Sequence, residues 1–275
     1  MPQPPTTEIS APRGLVPLNL NELWEYRELA FFMLFRDIKG RYRQMALGPL
    51  WMIINPIMNV IVFTVIFGQM AKFPSDGIPY PLFNYAALLP WGFFTGCLFS
   101  AAGSLLSHKD LISKVYFPRL TMPLIGVFSS LVDFLISFIL LLGLAVYYGY
   151  WPTWNLLFIL IFLLMAAVIG LAVGLWFASW IVHFRDVNAI LSYAVRAWMY
   201  ITPVVYASSF VPERWRGLYR LNPMTNIIEG FRWALLGTEP PSWKMLFLTF
   251  VAVLPVLIGG AYYFRRTERS IVDIA

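Results

Sequence analysis

The stretch FRDIKGRYRQMALGPLW, Phe35–Trp51, decides the fold. Arg36, Lys39, Arg41 and Arg43 form a basic cluster that runs straight into a long apolar segment. Cytoplasmic flanks of membrane spans are enriched in Lys and Arg, because insertion retains positive charge on that side. The chain therefore enters a membrane here, from the cytoplasm. The basic, aromatic-bearing approach is longer than a simple anchor needs.

Composition agrees. Of 275 residues, 59% are hydrophobic, 17% aromatic and 12% charged, and the mean hydropathy is +0.69. Soluble domains carry roughly a quarter charged residues. One membrane bundle accounts for the length. The net charge of +6 is not a nucleic-acid signature, because the bases gather at span ends. Cys97 is the single cysteine, so no intrachain disulfide forms and the redox compartment is unreadable. Residues 1–18 are polar and Pro-bearing, without the apolar core of a secretory signal.

A hydrocarbon core of about 30 Å needs about 20 apolar residues as helix. Spans are expected at 50–70, 82–106, 119–148, 155–182, 187–206 and 244–264. An even number puts both termini on one side. The bases assign that side to the cytoplasm: Arg13 through Arg43 before the first span, Lys109, Lys114 and Arg119 in the second loop, Arg185 in the fourth, and Arg265, Arg266 and Arg269 in the tail. The expected organisation is a cytoplasmic segment, 1–49, carrying an amphipathic helix and a basic gate helix. A six-span domain, 50–264, and a cytoplasmic tail, 265–275, follow. Leu18–Leu34 places apolar residues between Glu22, Glu25, Arg27 and Glu28, as a helix lying on the cytoplasmic surface would.

The fifth loop breaks the charge pattern with Arg214, Arg216, Arg220 and Arg232. These are either scaffold or contacts for an anionic ligand. Within it, NPMTNIIEGFRWALLG, Asn222–Gly237, is too short to span. Asn222-Pro223 suits a helix start and Gly237 a stop. The segment reads as a short re-entrant or interfacial helix at the external face, which suggests the outer mouth of a pathway.

Bond-making chemistry is disfavoured. There is no phosphate-binding GxxxxGK[ST] loop. His108 and His183 lack ligand spacing, and Asp37, Asp110 and Asp186 are scattered. No metal or cofactor is expected in this chain. Asp133 and Arg196 lie deep in expected spans, where charges are costly and mark either function or a structural pair. Gly92-x3-Gly96 and Gly170-x3-Gly174 permit close helix approach, inside the bundle or between protomers.

Four segments then resemble one family: FRDIKGRYRQMALGPLWMIINP (35–56), LISKVYFPRLTMP (111–123), FRDVNAILSYAVRAWMYITPVVY (184–206) and NPMTNIIEGFRWALLG (222–237). They are similar, in order and over nearly the whole chain, to the type-2 permease subunits of polysaccharide-exporting ABC transporters. These are the Wzm-like O-antigen, capsule and teichoic-acid permeases. Asn226 stands where that family commonly has a proline.

The resemblance implies a non-enzymatic inner-membrane homodimer. It would bind two copies of a separate ATPase subunit, which carries the ATP and Mg, and pass an undecaprenyl-type lipid-linked polysaccharide between its protomers. It also implies an ATPase-coupling set of Arg36, Lys39, Asp110, Lys114, Tyr116, Phe117 and Arg119. An exported polymer needs a continuous path with aromatic faces, so Tyr42, Trp51, Trp198 and Tyr200 are expected to line the channel. Asn222, Glu229 and Arg232 are expected at the external gate. The alternatives are a drug or lipid exporter of the same superfamily, or a membrane-embedded glycan-assembly scaffold or enzyme.

Overall fold

The computed structural model describes residues 20–43, 50–107, 117–184 and 186–274. The elements among them are helical, with no strand. This is what a bilayer demands, since a helix satisfies its own backbone polar groups. The chain runs through α1 (Leu20–Glu25) and α2 (Arg27–Arg43), parted by a turn at Tyr26. Next come α3 (Trp51–Phe63, continued as π-helix over Thr64–Met70), α4 (Tyr80–Ser107) and α5 (Thr121–Tyr147). After a 3-10 turn at Trp154–Phe158 follow α6 (Ile159–His183), α7 (Val187–Ile201), α8 (Glu213–Arg220), α9 (Pro223–Leu236) and α10 (Trp243–Ile274).

Helix α4 is the axis of the bundle: 61% of its most apolar window is buried, against none for α3. It packs most closely on α6. A Cβ added at Gly170 would lie 2.8 Å from Cys97 Cβ, and one at Gly174 would lie 2.7 Å from the Leu98 carbonyl oxygen. The Gly170-x3-Gly174 stripe is thus packing inside the chain, and only glycine lets the two helices sit this close. Gly96 meets Ser130 of α5 in the same way, while Gly92 faces open space.

One end of the bundle holds a core made by Met33, Leu105, Phe117, Met122, Leu175 and Phe264. It joins α2 to the C-terminal ends of α4, α6 and α10 and to the start of α5; we call it the terminal end. The opposite, cap end carries α8 and α9. Here Trp243 at the start of α10 packs on Phe158 and Trp233.

Among the described residues, five stretches are long and apolar enough to cross a membrane: Trp51–Met70, Tyr80–Ser107, Thr121–Tyr147, Trp154–His183 and Trp243–Thr267. The expected helix over 187–206 is the exception. It stops at Ile201 after 15 residues, about 22 Å of rise. The cause is Pro203, which pushes its predecessor out of the helical region, and Thr202 is extended at φ −95, ψ 144. Since α6 ends at the terminal end and α10 begins at the cap end, α7 with the non-helical segment 202–207 carries the chain back. The N-terminal surface helix also runs further than its expected end at Leu34, continuing as α2 to Arg43.

Candidate functional site

The broken passage after α7 shapes the cap end. Thr202, Val204, Val205 and Ala207 are buried, so their backbone has no water. Non-helical backbone at such depth survives only where protein satisfies it. Two side chains do so. Tyr80 Oη donates to the Val205 carbonyl at 2.7 Å. Arg232, 4% exposed, donates to the carbonyls of Pro203 at 2.8 Å, Val204 at 3.0 Å and Phe83 at 3.3 Å. Its guanidinium also lies 3.6 Å from the centre of the Phe83 ring. Burial lowers the Arg232 pKa, and Glu229, Tyr80 and Asp76 oppose that drop. Of the two readings open for the fifth-loop arginines, Arg232 takes the scaffold one.

Asn222 is the second organiser. Its Oδ1 caps α9 by accepting from Met224 N at 3.1 Å and also accepts from Trp198 Nε1 at 3.0 Å. Its Nδ2 donates to Thr202 Oγ1 at 2.9 Å. Proline follows at the first helical turn, and Gly237 ends the helix at φ 70, a left-handed value that suits glycine. Asn226, fully buried, donates from Nδ2 to the Arg220 carbonyl at 2.9 Å and so locks α8 onto α9. Glu229 is half-buried beside this network.

A groove runs below the cap. Its floor is one face of α4, where Leu88, Gly92, Thr95 and Phe99 recur at i, i+4, i+7 and i+11 and stay exposed or half-buried. On one side lies α3, with Asn55, Pro56 and Asn59 against Leu88, Gly92 and Gly96. On the other lies α7, where Trp198 meets Trp91 and Phe94 edge-on at 6.1 and 5.1 Å between ring centres. The segments that follow α3 and α7 join over the top. Phe73 stands 5.7 Å from Phe67, 6.3 Å from Tyr206 and 5.9 Å from Phe210. Both walls present polar and aromatic groups outward: Asn55, Asn59 and Trp51 from α3, and Tyr193, Arg196 and Tyr200 from α7.

Of the residues expected along a channel, Trp51 and Tyr200 are exposed, at 39% and 52%. Trp198 is half-buried in the network above, and Tyr42 sits in the last turn of α2. Asp133 and Arg196 are not brought together. Asp133 borders a cavity of about 230 Å³ with Asn55, Asn59, Ser130 and Ser137. Arg196 is exposed on α7, and no ion pair joins it to Asp133. The expected structural pair is therefore absent within one chain, because α5 and α7 lie on different sides of α4.

Among the expected coupling residues, Asp110, Lys114 and Tyr116 lie outside the described residues. Phe117 is 3% exposed and turned into the terminal-end core, which removes it as a free anchor for a partner's groove. Arg119 is half-buried in the turn before α5, Lys39 is exposed, and Arg36 pairs with Asp37 at 2.9 Å. Sequence reading missed Asn55 and Asn59. Their signal was available: two amides one helical turn apart in an otherwise apolar helix.

The sequence matches the ABC-2 type transporter family over residues 28–236, from α2 through α9. It is 32% identical over 254 residues to the O-antigen export system permease protein RfbA of Myxococcus xanthus, covering 91% of this chain and 96% of that protein. An RfbA of Klebsiella pneumoniae is 28% identical over 240 residues, covering 87% and 92%. The polysialic acid transport protein KpsM of Escherichia coli is 20% identical over 243 residues, covering 88% and 94%. The match takes in the groove, the broken passage and the cap together. The chain belongs to the ABC-2 type transporter family, as a multi-pass membrane permease whose family implies an ABC ATPase partner.

Proposed function

We propose that this permease forms a homodimer that exports a lipid-linked polysaccharide of the O-antigen type across the cytoplasmic membrane. Two copies of an ATPase subunit drive it. The observation that carries the reading is the groove. Asn55, Asn59, Tyr193 and Arg196 stand exposed on α3 and α7, and hydrocarbon would tolerate neither the amides nor the guanidinium. Such a face belongs to a wet path or a protein interface. A second copy placed over it closes the groove into a channel lined by amides, tyrosines and the Gly92 gap, which suits a sliding sugar chain better than a tight pocket does. The names borne by the RfbA and KpsM relatives support a polysaccharide cargo.

In this reading the terminal end faces the cytoplasm, with both chain termini, and the cap faces outward. The ATPase docks beside the exposed Lys39 and the segment leading to Arg119, with ATP and Mg held in that subunit. Deleting the gene should remove surface polysaccharide and leave lipid-linked glycan inside the cell. Undiminished surface polysaccharide would overturn the proposal. Cysteines placed at Ser75 and Ser113 should label from opposite sides of the membrane.

A further inference from the structure

Under the cap lies a pocket of about 670 Å³, walled by α8, α9, the segment after α7 and the turn after Gly237. That volume suits a small-molecule site, roughly 300–1,000 Å³. Three hydroxyls at its wall, Ser208 Oγ, Tyr219 Oη and Thr225 Oγ1, are buried without a hydrogen-bond partner. Thr225 is only 1% exposed. Buried polar groups are nearly always paired. Orphan hydroxyls gathered around one cavity mark bonds that a ligand completes.

The charges narrow the ligand. Arg216, Arg220 and Arg232 are balanced by Asp76, Glu229 and Glu239. Several of these are already committed. Arg232 holds its three carbonyls, Arg216 donates to the carbonyls of Val211 and Ser209, and Asp76 accepts from Ser209 Oγ at 2.8 Å. Arg220, Glu229 and Glu239 retain their side-chain bonding capacity beside the orphan hydroxyls. A phosphate would meet two carboxylates here, and a cation would meet a guanidinium. A neutral polyhydroxyl ligand meets neither objection. Glu229 accepts from its hydroxyls in charge-assisted bonds, Arg220 donates to its oxygens, and the protein hydroxyls turn to fit either way.

We infer that this pocket is a saccharide subsite holding a short stretch of the emerging glycan at the outer end of the path. The inference rests on the polysaccharide-permease reading. Its test uses the full-length permease with its ATPase subunit in nanodiscs. The probes are oligosaccharide released by mild acid from the host cell's own surface polysaccharide and, separately, inorganic phosphate. Binding is read by saturation-transfer NMR and calorimetry. The oligosaccharide should bind and phosphate should not. Glu229→Gln should weaken binding roughly tenfold, through loss of a charge-assisted bond.

Thr225→Val and Tyr219→Phe supply the control for folding. Each deletes a hydroxyl that has no partner in the empty protein, so each should leave the thermal midpoint unchanged or higher. Each should still weaken oligosaccharide binding about threefold to tenfold. Equal binding by all variants overturns the subsite, as does a lowered midpoint for both hydroxyl variants, phosphate binding at the pocket, or no oligosaccharide binding. If gene deletion abolishes surface glycan while these variants bind as wild type, the subsite alone fails. If deletion leaves surface glycan intact, the export reading fails.

Discussion

The cap and the groove beneath it are built from similar residues to opposite ends. Each contains an arginine on a helix that also carries aromatic and apolar residues. In the cap, Arg232 is 4% exposed, and its donors meet the Pro203 and Val204 carbonyls left over by the break at Thr202 and the Phe83 carbonyl of α4. In the groove, Arg196 stands exposed on α7. The cap is complete within one chain. The groove, in the proposed reading, is complete only when a second copy covers it. A buried, fully bonded polar group is structural, whereas an exposed polar group on a helix of membrane depth belongs to a path or an interface.

The largest effect that sharpens this contrast is at Arg232. Arg232→Met strands the carbonyls of Pro203 and Val204, and each unsatisfied buried acceptor costs about 1–3 kcal/mol. Loss of folded protein, read as monodisperse yield and thermal midpoint in detergent, is the expected outcome. Arg232→Lys should rescue little, since an ammonium cannot reproduce the planar fork. Normal folding of Arg232→Met would mean that the cap is not organised by that residue.

A middling effect is expected at Asn222. Asn222→Ala removes the cap of α9 and the partners of Trp198 and Thr202 at once. Loss of an N-cap typically costs about 1 kcal/mol, and each further hydrogen bond about 1 kcal/mol. The thermal midpoint should fall clearly, and Asn222→Asp should restore the cap but not the bond to Thr202 Oγ1.

The groove should behave in the opposite way. Tyr200→Ala and Trp51→Ala act at exposed positions, so stability should stay within about 0.5 kcal/mol of wild type. Export should fall severalfold while ATP hydrolysis continues, measured as surface polysaccharide against ATPase turnover. Stability losses as large as those at Asn222 would show the groove wall to be ordinary core.

How far the sequence foretold this division is instructive. The long spans were legible because hydrophobic length is a direct physical requirement of the bilayer. The boundaries of α9 were legible for a local reason: Asn222-Pro223 and Gly237 are cap chemistry, set by neighbouring residues alone. The end of α7 was also local, since Pro203 stands in the sequence, yet the expectation ran through it to Tyr206 because apolar character continues there. The partners of Arg232 were not legible. They lie 28, 29 and 149 residues away, and nothing in the arginine's own segment names them. Phe117 failed for the same reason. Its motif suggested a docking loop, but its surroundings come from α2, α4, α5, α6 and α10. The Asp133–Arg196 pairing assumed that two buried opposite charges must find each other, and the helix order around α4 keeps them apart.

That pairing gives the smallest expected effect and the finest test of the contrast. Asp133 borders the polar cavity between α3, α4 and α5, while Arg196 faces outward from α7. With no ion pair between them, Asp133→Asn and Arg196→Gln should contribute independently. Their stability changes should sum to within about 0.3–0.5 kcal/mol, the limit for sites without shared partners. Arg196→Gln alone should shift stability by no more than about 0.5 kcal/mol, as for an exposed residue. Asp133→Asn keeps the shape of the side chain but exchanges an acceptor oxygen for a donor NH2, so its effect reports the charge together with that exchange. A double-mutant cycle on the purified permease, read by thermal unfolding, measures both. Coupling well beyond that limit would mean that the two charges do meet, and the exposed arginine would then belong with Arg232 among the structural ones.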